Sequence, residues 1–459
     1  MAKDPRRELS LPRKAGFAMG DYACNLYWQS LSLFVMFYYT DVVGLSGATA
    51  GLIYMVASIF DGATDPIMGA LADRTRTRFG RFRPYLLAAG VPLAFAFVFM
   101  FWKPALDGAG LIAVVLAAHL LFRLAYTAVS VPYSSLTARM TRSSDERSTL
   151  AGFRMVFAAL AGLTVSYNTQ PLVAALGGGD EARGFFYAAC VFALLATGIF
   201  PLVFLATREP PEPAVPERRL RVGEYWLAIR NNRAFWVLMA AITVGAVASS
   251  TLGKAVIYYF KYIVGDADAA RYALSFKAIS ALAIIPAWVF VSRRIGKQAA
   301  WITASIWGVA GSALLMVTDA TTAVVATAFF ILMHVASLGK SMTVWSMMPD
   351  TVEYGEWKSG VRAESFIFGL GMFFQKAALG IAAGLFGWAL DLVGYRANVA
   401  QTPETLFGMK MIVVLLPAIS FGLSALIMLA YPLKRGRHEA IVDEIAARRA
   451  AADPTGEPA

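Results

Sequence analysis

The sequence predicts an all-α membrane protein: twelve transmembrane helices in two six-helix halves. Three observations predict it. Hydrophobic residues make up 58% of the 459-residue chain and charged residues only 15%, where a soluble domain carries about 25% charged residues. The apolar residues gather in runs of about 20 or more, the length that crosses a bilayer as a helix, and the mean hydropathy is +0.58. The basic residues fall mostly between those runs.

Taken in order, the runs cover roughly residues 16–40, 46–72, 84–103, 109–138, 150–176, 184–207, 234–264, 270–292, 299–318, 321–347, 364–391 and 406–432. The fifth is interrupted by Asn168, Gln170 and Pro171. Residues 1–207 make the first half and 234–433 the second. Between them, 208–233 contains REPPEPAVPERRLRVGEY, whose proline and charge mark a linker rather than a domain. The tail, 434–459, is charged, and its IVDEIAARRAAA segment reads as a short surface helix.

Charge placement sets the orientation. Arg74, Arg76, Arg78, Arg81 and Arg83 follow the second run, and Arg139, Arg142 and Arg147 follow the fourth. Arg218, Arg219 and Arg221 lie in the linker, and Arg293, Arg294 and Lys297 follow the eighth run. All these loops lie on the side of the N-terminal tail. Loops rich in Lys and Arg stay in the cytoplasm, so both termini are expected there, in a multi-pass plasma (inner) membrane protein. The net charge of +11 thus serves orientation, and twelve spans exclude a soluble nucleic-acid-binding role. Cys24 and Cys190 both fall in apolar runs and form neither a disulfide framework nor a metal cluster. No cleavable leader is expected, because the basic segment before Gly16 lacks an apolar core.

The chemistry lies in charges placed inside apolar runs. Asp61 and Asp65 share the second run, in MVASIFDGATDPIMG. A carboxylate at membrane depth costs about 2.5–3.5 kcal/mol on insertion scales, and positions i and i+4 share one helix face. Both carboxylates can therefore point at one small cation or proton; a structural salt bridge is the alternative for the pair and for Lys376. Pro66, next in sequence, removes a backbone donor and is expected to loosen the preceding turn. Asp21 lies about one turn into the first run. Lys254, Lys340 and Lys376 lie in the seventh, tenth and eleventh. Interfacial snorkelling is the alternative for Asp21 and Lys254. Arg123 and His119 in the fourth run, and His334 in the tenth, read as structural or interfacial. Aromatic residues crowd the first and seventh runs, and a ring face suits a sugar face or a cation. No nucleophile–base pair or metal cluster marks an enzyme. A receptor or channel is a rival that the run count alone leaves open.

Several segments carry a family resemblance: GDYACNLYWQ, FYYTDVVGLS, DGATDPIMGALADRTRTRFGRFRPYLL, YTAVSVPYSSL, YYFKYIVGD, PDTVEYGEWKSGVRAES and RHEAIVDEI. Through them the chain resembles the glycoside–pentoside–hexuronide:cation symporters, the branch of the major facilitator superfamily that includes melibiose permease. The resemblance implies the major facilitator fold and alternating access. It implies that Asp61 and Asp65 are coupling-cation ligands, with Thr127 helping, and that these three hold the metal ion if sodium is used. It implies that Asp21 bonds sugar hydroxyls, that Tyr126 and Arg154 lie near the substrate, and that Lys376 links the two sites. In the loop after the second run it implies a charge latch built from Asp73 and the arginines.

Three positions depart from melibiose permease. Ser130 stands where that permease has an aspartate for galactosides, and Ser134 where it has a stacking tryptophan. Thr64 replaces an asparagine that helps select sodium, yet it still offers a hydroxyl oxygen. With one acid gone and Lys254, Lys376 and Arg154 about the cavity, the substrate is expected to be an anionic sugar, a uronide or sulfosugar. No cofactor is expected beyond the coupling ion, H+ or Na+. Expected partners are a small sugar or glycoside and membrane lipid, with the monomer as the working unit. The rival transported class is the lysolipid of a related cation-coupled branch.

Overall fold

In this computed structural model, residues 9–140, 144–209, 222–434 and 436–452 are described. Arg142, Arg218, Arg219 and Arg221 lie outside them. The chain folds into helices α1 (Leu11–Phe37), α2 (Gly47–Arg74), α3 (Arg83–Ala88), α4 (Gly90–Met100), α5 (Gly108–Met140), α6 (Ser144–Gly177) and α7 (Glu181–Ala206). After α8 (Val222–Arg230) come α9 (Arg233–Tyr258), α10 (Ala270–Ile295), α11 (Lys297–Val317), α12 (Ala323–Ser359), α13 (Glu364–Leu392), α14 (Pro403–Leu429) and α15 (Arg437–Ala452).

Ten helical segments among the described residues are long and apolar enough to cross a membrane. α1 and α2, expected as the first two spans, are as long, at 27 and 28 residues. α1 carries Asp21, Asn25 and Gln29 along its middle, and α2 carries Asp61 and Asp65, which lowers their apolarity. The expected third span is broken at Ala89, between α3 and α4. The interrupted fifth run is one continuous helix, α6. α2 also continues through Pro66.

Side chains close the helix starts. Ser46, Asp180, Asn232, Thr322 and Thr402 each accept from a backbone N–H of the first turn, satisfying donors that a helix cannot satisfy itself. α15 is more than a surface helix: Ile441 and Ile445 are buried, and Trp357 Nε1 on α12 donates to Glu444 at 2.6 Å.

The N-terminal and C-terminal helices meet along α2–α13, α6–α10 and α1–α9. Small residues permit the first of these contacts. A Cβ at Gly387 would overlap the Gly47 carbonyl oxygen, and one at Gly51 would lie 2.9 Å from the Ala383 oxygen. Close helix approach of this kind strengthens packing where lipid supplies no hydrophobic drive.

At one end of this seam the chain repeats itself. α1 and α9 each finish in a six-residue π turn, Tyr38–Val43 and Tyr259–Val264. Each π turn stops at a left-handed glycine, Gly44 (φ 91°) and Gly265 (φ 78°). The other end carries the arginine-rich loop. Glu209, an acid the sequence reading did not single out, joins this loop. Glu209 accepts from the backbone N–H groups of Arg81, Phe82 and Arg83 at 2.8–2.9 Å. Asp73 is exposed, and its backbone carbonyl accepts from Arg76 at 2.7 Å. A Cβ at Gly80 would come within 2.6 Å of the Glu209 carboxyl, so glycine is needed there for space as well as for its φ of 108°.

Candidate functional site: a buried charge cluster

α2 brings Asp61 and Asp65 to one face, as the four-residue spacing requires. Asp61 is wholly buried and Asp65 partly so. The hydroxyl of Thr127, on α5, lies 2.7 Å from Asp61 Oδ1 and 3.0 Å from Asp65 Oδ1. One hydroxyl proton thus serves two carboxylates. From α13, Lys376 Nζ reaches Asp61 Oδ2 at 3.0 Å and Asp65 Oδ2 at 2.5 Å. The two acids are therefore bridged on one side by a hydroxyl and on the other by an ammonium.

Arg123 completes the cluster. At 1% exposure it is not interfacial, and it makes structural bonds that reach the acid pair. Its Nη1 donates to Asp61 Oδ2 at 3.1 Å, its Nη2 to Ser58 Oγ at 3.0 Å, and its Nε to His119 Nε2 at 3.3 Å. A guanidinium only donates, so His119 Nε2 accepts. A neutral imidazole then keeps its proton on Nδ1 and gives it to Tyr39 Oη, 3.0 Å away. The signal available in sequence was spacing: Arg123 lies four residues before Thr127, on the same face of α5. Two carboxylates, one guanidinium and one ammonium leave the cluster neutral, which is how ionised groups survive burial.

A second constellation surrounds Asp21. Arg154, on α6, grips it with two bonds, Nε to Oδ2 at 2.6 Å and Nη2 to Oδ1 at 3.1 Å. Tyr133 Oη adds a third at 2.6 Å, and Arg154 Nη1 also donates to Thr137. Neither Asp21 nor Arg154 is sealed off, with side chains 13% and 25% exposed. Tyr126 sits between the constellations. Its ring lies 5.9 Å from that of Trp28, tilted by 30°, and it is within electrostatic reach of both Asp21 and Asp61.

The remaining expected positions divide. Ser130 is half-buried on α5 between Tyr126 and Tyr133. Thr64 turns its hydroxyl onto the Asp61 backbone carbonyl at 3.0 Å, away from the carboxylates. Lys254 joins neither constellation directly. It bonds Ser250 Oγ at 3.0 Å and sits 4.4 Å from the centre of the Tyr54 ring.

Residues 16–435 match the family described as MFS/sugar transport protein. The chain belongs to that family. Among curated members it is 31% identical to the isoprimeverose transporter of Lactiplantibacillus pentosus, over 93% of this chain and 90% of that one. It is 29% identical to the inner membrane symporter YicJ of Escherichia coli (strain K12), over 92% of each. It is 28% identical to the glucuronide carrier protein homolog of the same organism, over 96% of this chain and 97% of that one. Solved structures agree in fold. A bacterial homolog of the human lysosomal transporter Spinster superposes with a TM-score of 0.68 at 13% identity, covering 92% of this chain and 98% of that one. The nucleoside transporter NupG gives 0.66 at 13% identity, covering 92% and 100%. The protein is thus a multi-pass membrane transporter of the major facilitator type, in a family of transporters rather than enzymes.

Proposed function

We propose that this family member is a cation-coupled symporter that imports a sugar or glycoside by alternating access. The observation that carries the reading is the bridging of Asp61 and Asp65 by Lys376, an ammonium from the other half of the chain. That ammonium occupies the place a coupling cation would take. A cation between the acids, or a proton on one of them, makes Lys376 redundant there. The released ammonium then needs new acceptors, and a polyhydroxylated substrate beside Asp21, Tyr126, Ser130 and Arg154 supplies them. A half-loaded site leaves a charge unpaired in a low-dielectric closure, which is costly. This penalty links the two fluxes.

The proton is the favoured ion, because Thr64 spends its hydroxyl on its own helix and Thr127 already divides one proton between two carboxylates. If sodium is used, Asp61, Asp65 and Thr127 are its ligands. The basic loops support cytoplasmic termini, and the reading puts the chain in the inner membrane. Residues 1–207 and 234–433 are the two rocking units, with substrate between them, and a single chain suffices for transport. A counterflow screen in proteoliposomes, with and without sodium at two pH values, tests the reading. Saturable sugar exchange that turns into uphill accumulation when a proton gradient is imposed is expected. Flux that neither saturates nor responds to either gradient overturns it. Exchange of lysolipids but no sugar assigns the rival substrate.

A further inference from the structure

The buried acids are outnumbered. Lys254, on α9, is 3% exposed, and its ammonium donates to the neutral Ser250 hydroxyl on its own helix. It rests 4.4 Å from the centre of the Tyr54 ring, and the Arg123 guanidinium lies 5.4 Å from the same ring. One aromatic ring therefore serves two cations, one in the charge cluster and one outside it. Tyr54 shares the α2 face of Ser58, Asp61 and Asp65, about 10 Å along the axis from Asp61. Lys277, half-buried on α10, is within electrostatic reach of Lys254, and His334 on α12 is within reach of Lys277. Among the described residues no carboxylate lies within ion-pair distance of Lys254 or Lys277. Asp61 and Asp65 are thus paired with Arg123 and Lys376, which leaves Lys254 and Lys277 without a carboxylate among the described residues. A buried ammonium without a counter-charge is expensive, and cation binding at Asp61 and Asp65 adds a further positive charge.

Resting on the symport reading, we propose that Lys254 and Lys277 form the anion pole of the substrate site, receiving the carboxylate or sulfonate of an acidic sugar derivative. Without substrate, Lys254 parks on the Tyr54 ring and the Ser250 hydroxyl. With substrate, it turns to the anionic group, while the sugar hydroxyls face Asp21 and Tyr126. Lys340 is the built-in comparison. It is equally buried, but it packs between α9, α11 and α14, 4.6 Å from the Phe421 ring and 3.4 Å from the Gly245 carbonyl.

The test is gradient-driven uptake of radiolabelled glucuronate and of glucose into proteoliposomes. Glucuronate is expected to accumulate, and Lys254→Met and Lys277→Met each to raise its half-saturation concentration at least about tenfold, with Lys254→Arg restoring it. Each tenfold corresponds to about 1.4 kcal/mol. Lys340→Met is expected to leave that constant unchanged. Melting temperatures of the purified variants separate misfolding from lost recognition. Preferential accumulation of glucose, indifferent to either lysine variant, overturns the anion pole and leaves symport standing. No accumulation of any sugar under any gradient overturns the symport reading itself.

The π-turn end of the seam carries an independent inference. The Asp41 carboxylate is fully buried between the halves. Lys261 donates to it at 3.0 Å, Tyr262 at 2.5 Å, Tyr395 at 2.6 Å and Thr40 at 2.8 Å. The Asn398 amide takes the Asp41 carbonyl at 2.6 Å. Asp41 and Tyr262 occupy matching places in the two π turns, three residues before their glycines. Burial, reinforced by the Asp41 carboxylate, holds the Tyr395 phenol well above its ordinary value, so it remains a donor at any working pH.

We infer that these two turns are a latch whose release opens this face of the carrier. Maleimide labelling of a single cysteine placed at Ala397, with Cys24 and Cys190 replaced by alanine, reads the latch. Asp41→Asn and Tyr395→Phe are each expected to speed labelling several-fold. Unchanged labelling in both folded variants overturns the latch.

Discussion

Asp61→Asn and Asp65→Asn are each expected to abolish accumulation of substrate against its gradient while leaving downhill exchange measurable. The physical reason lies in the cluster's charge count. Each amide removes one of the two carboxylates that Lys376 spans at 3.0 and 2.5 Å. The remaining acid stays paired with Lys376, so an incoming cation no longer finds two negative charges to displace the ammonium for. Substrate can still enter beside Asp21, but its entry is no longer tied to a cation. Uptake into proteoliposomes under an imposed gradient should fall at least about tenfold, a loss of at least about 1.4 kcal/mol in coupling. Counterflow at equal internal and external pH should persist. Uphill uptake unchanged in both variants would sink the coupling role of the pair.

Arg123→Leu is expected to be the most destabilising single change in the cluster. The guanidinium supplies hydrogen bonds to Asp61, Ser58 and His119 at once, and it is sealed from water. Removing one partner of a buried ion pair costs about 3–5 kcal/mol, because the other charge is left stranded. Lys376→Met should cost less in stability, since its side chain is 12% exposed and water can reach the site. The check is the melting temperature of the detergent-solubilised protein, together with the double variant Arg123→Leu/Asp61→Asn. Relieving the stranded carboxylate should recover part of the loss, a non-additivity that a double-mutant cycle reads directly. Strict additivity would mean that the two side chains are not coupled.

Much of the site was legible because helical spacing carries it. Asp61 and Asp65 share a face by their four-residue separation, and Arg123 and Thr127 share theirs in the same way. What spacing leaves open is the partner from another helix. It could say that Lys376 is buried, but not that its ammonium lies between both acids. It placed Arg123 among structural residues, because one basic residue in an apolar run looks the same whether or not a carboxylate faces it. Glu209 went unnoticed for a similar reason. Its three backbone donors lie more than 120 residues away, and its own neighbourhood reads as linker. Asp41 sits at the edge of its run and passes for an interfacial residue until the second π turn is laid against it.

The sequence by itself determined the helical membrane architecture, the basic loops, the family and the acid pair on one helix face. These are local or cumulative properties of hydropathy, charge placement and period. The tertiary structure alone decided which charges neutralise one another: Lys376 and Arg123 on Asp61, Arg154 on Asp21, Lys261 on Asp41, and no carboxylate on Lys254 among the described residues. Pairing depends on distances of a few ångströms between helices far apart along the chain. In a low-dielectric interior those few ångströms separate a neutral cluster from an uncompensated charge.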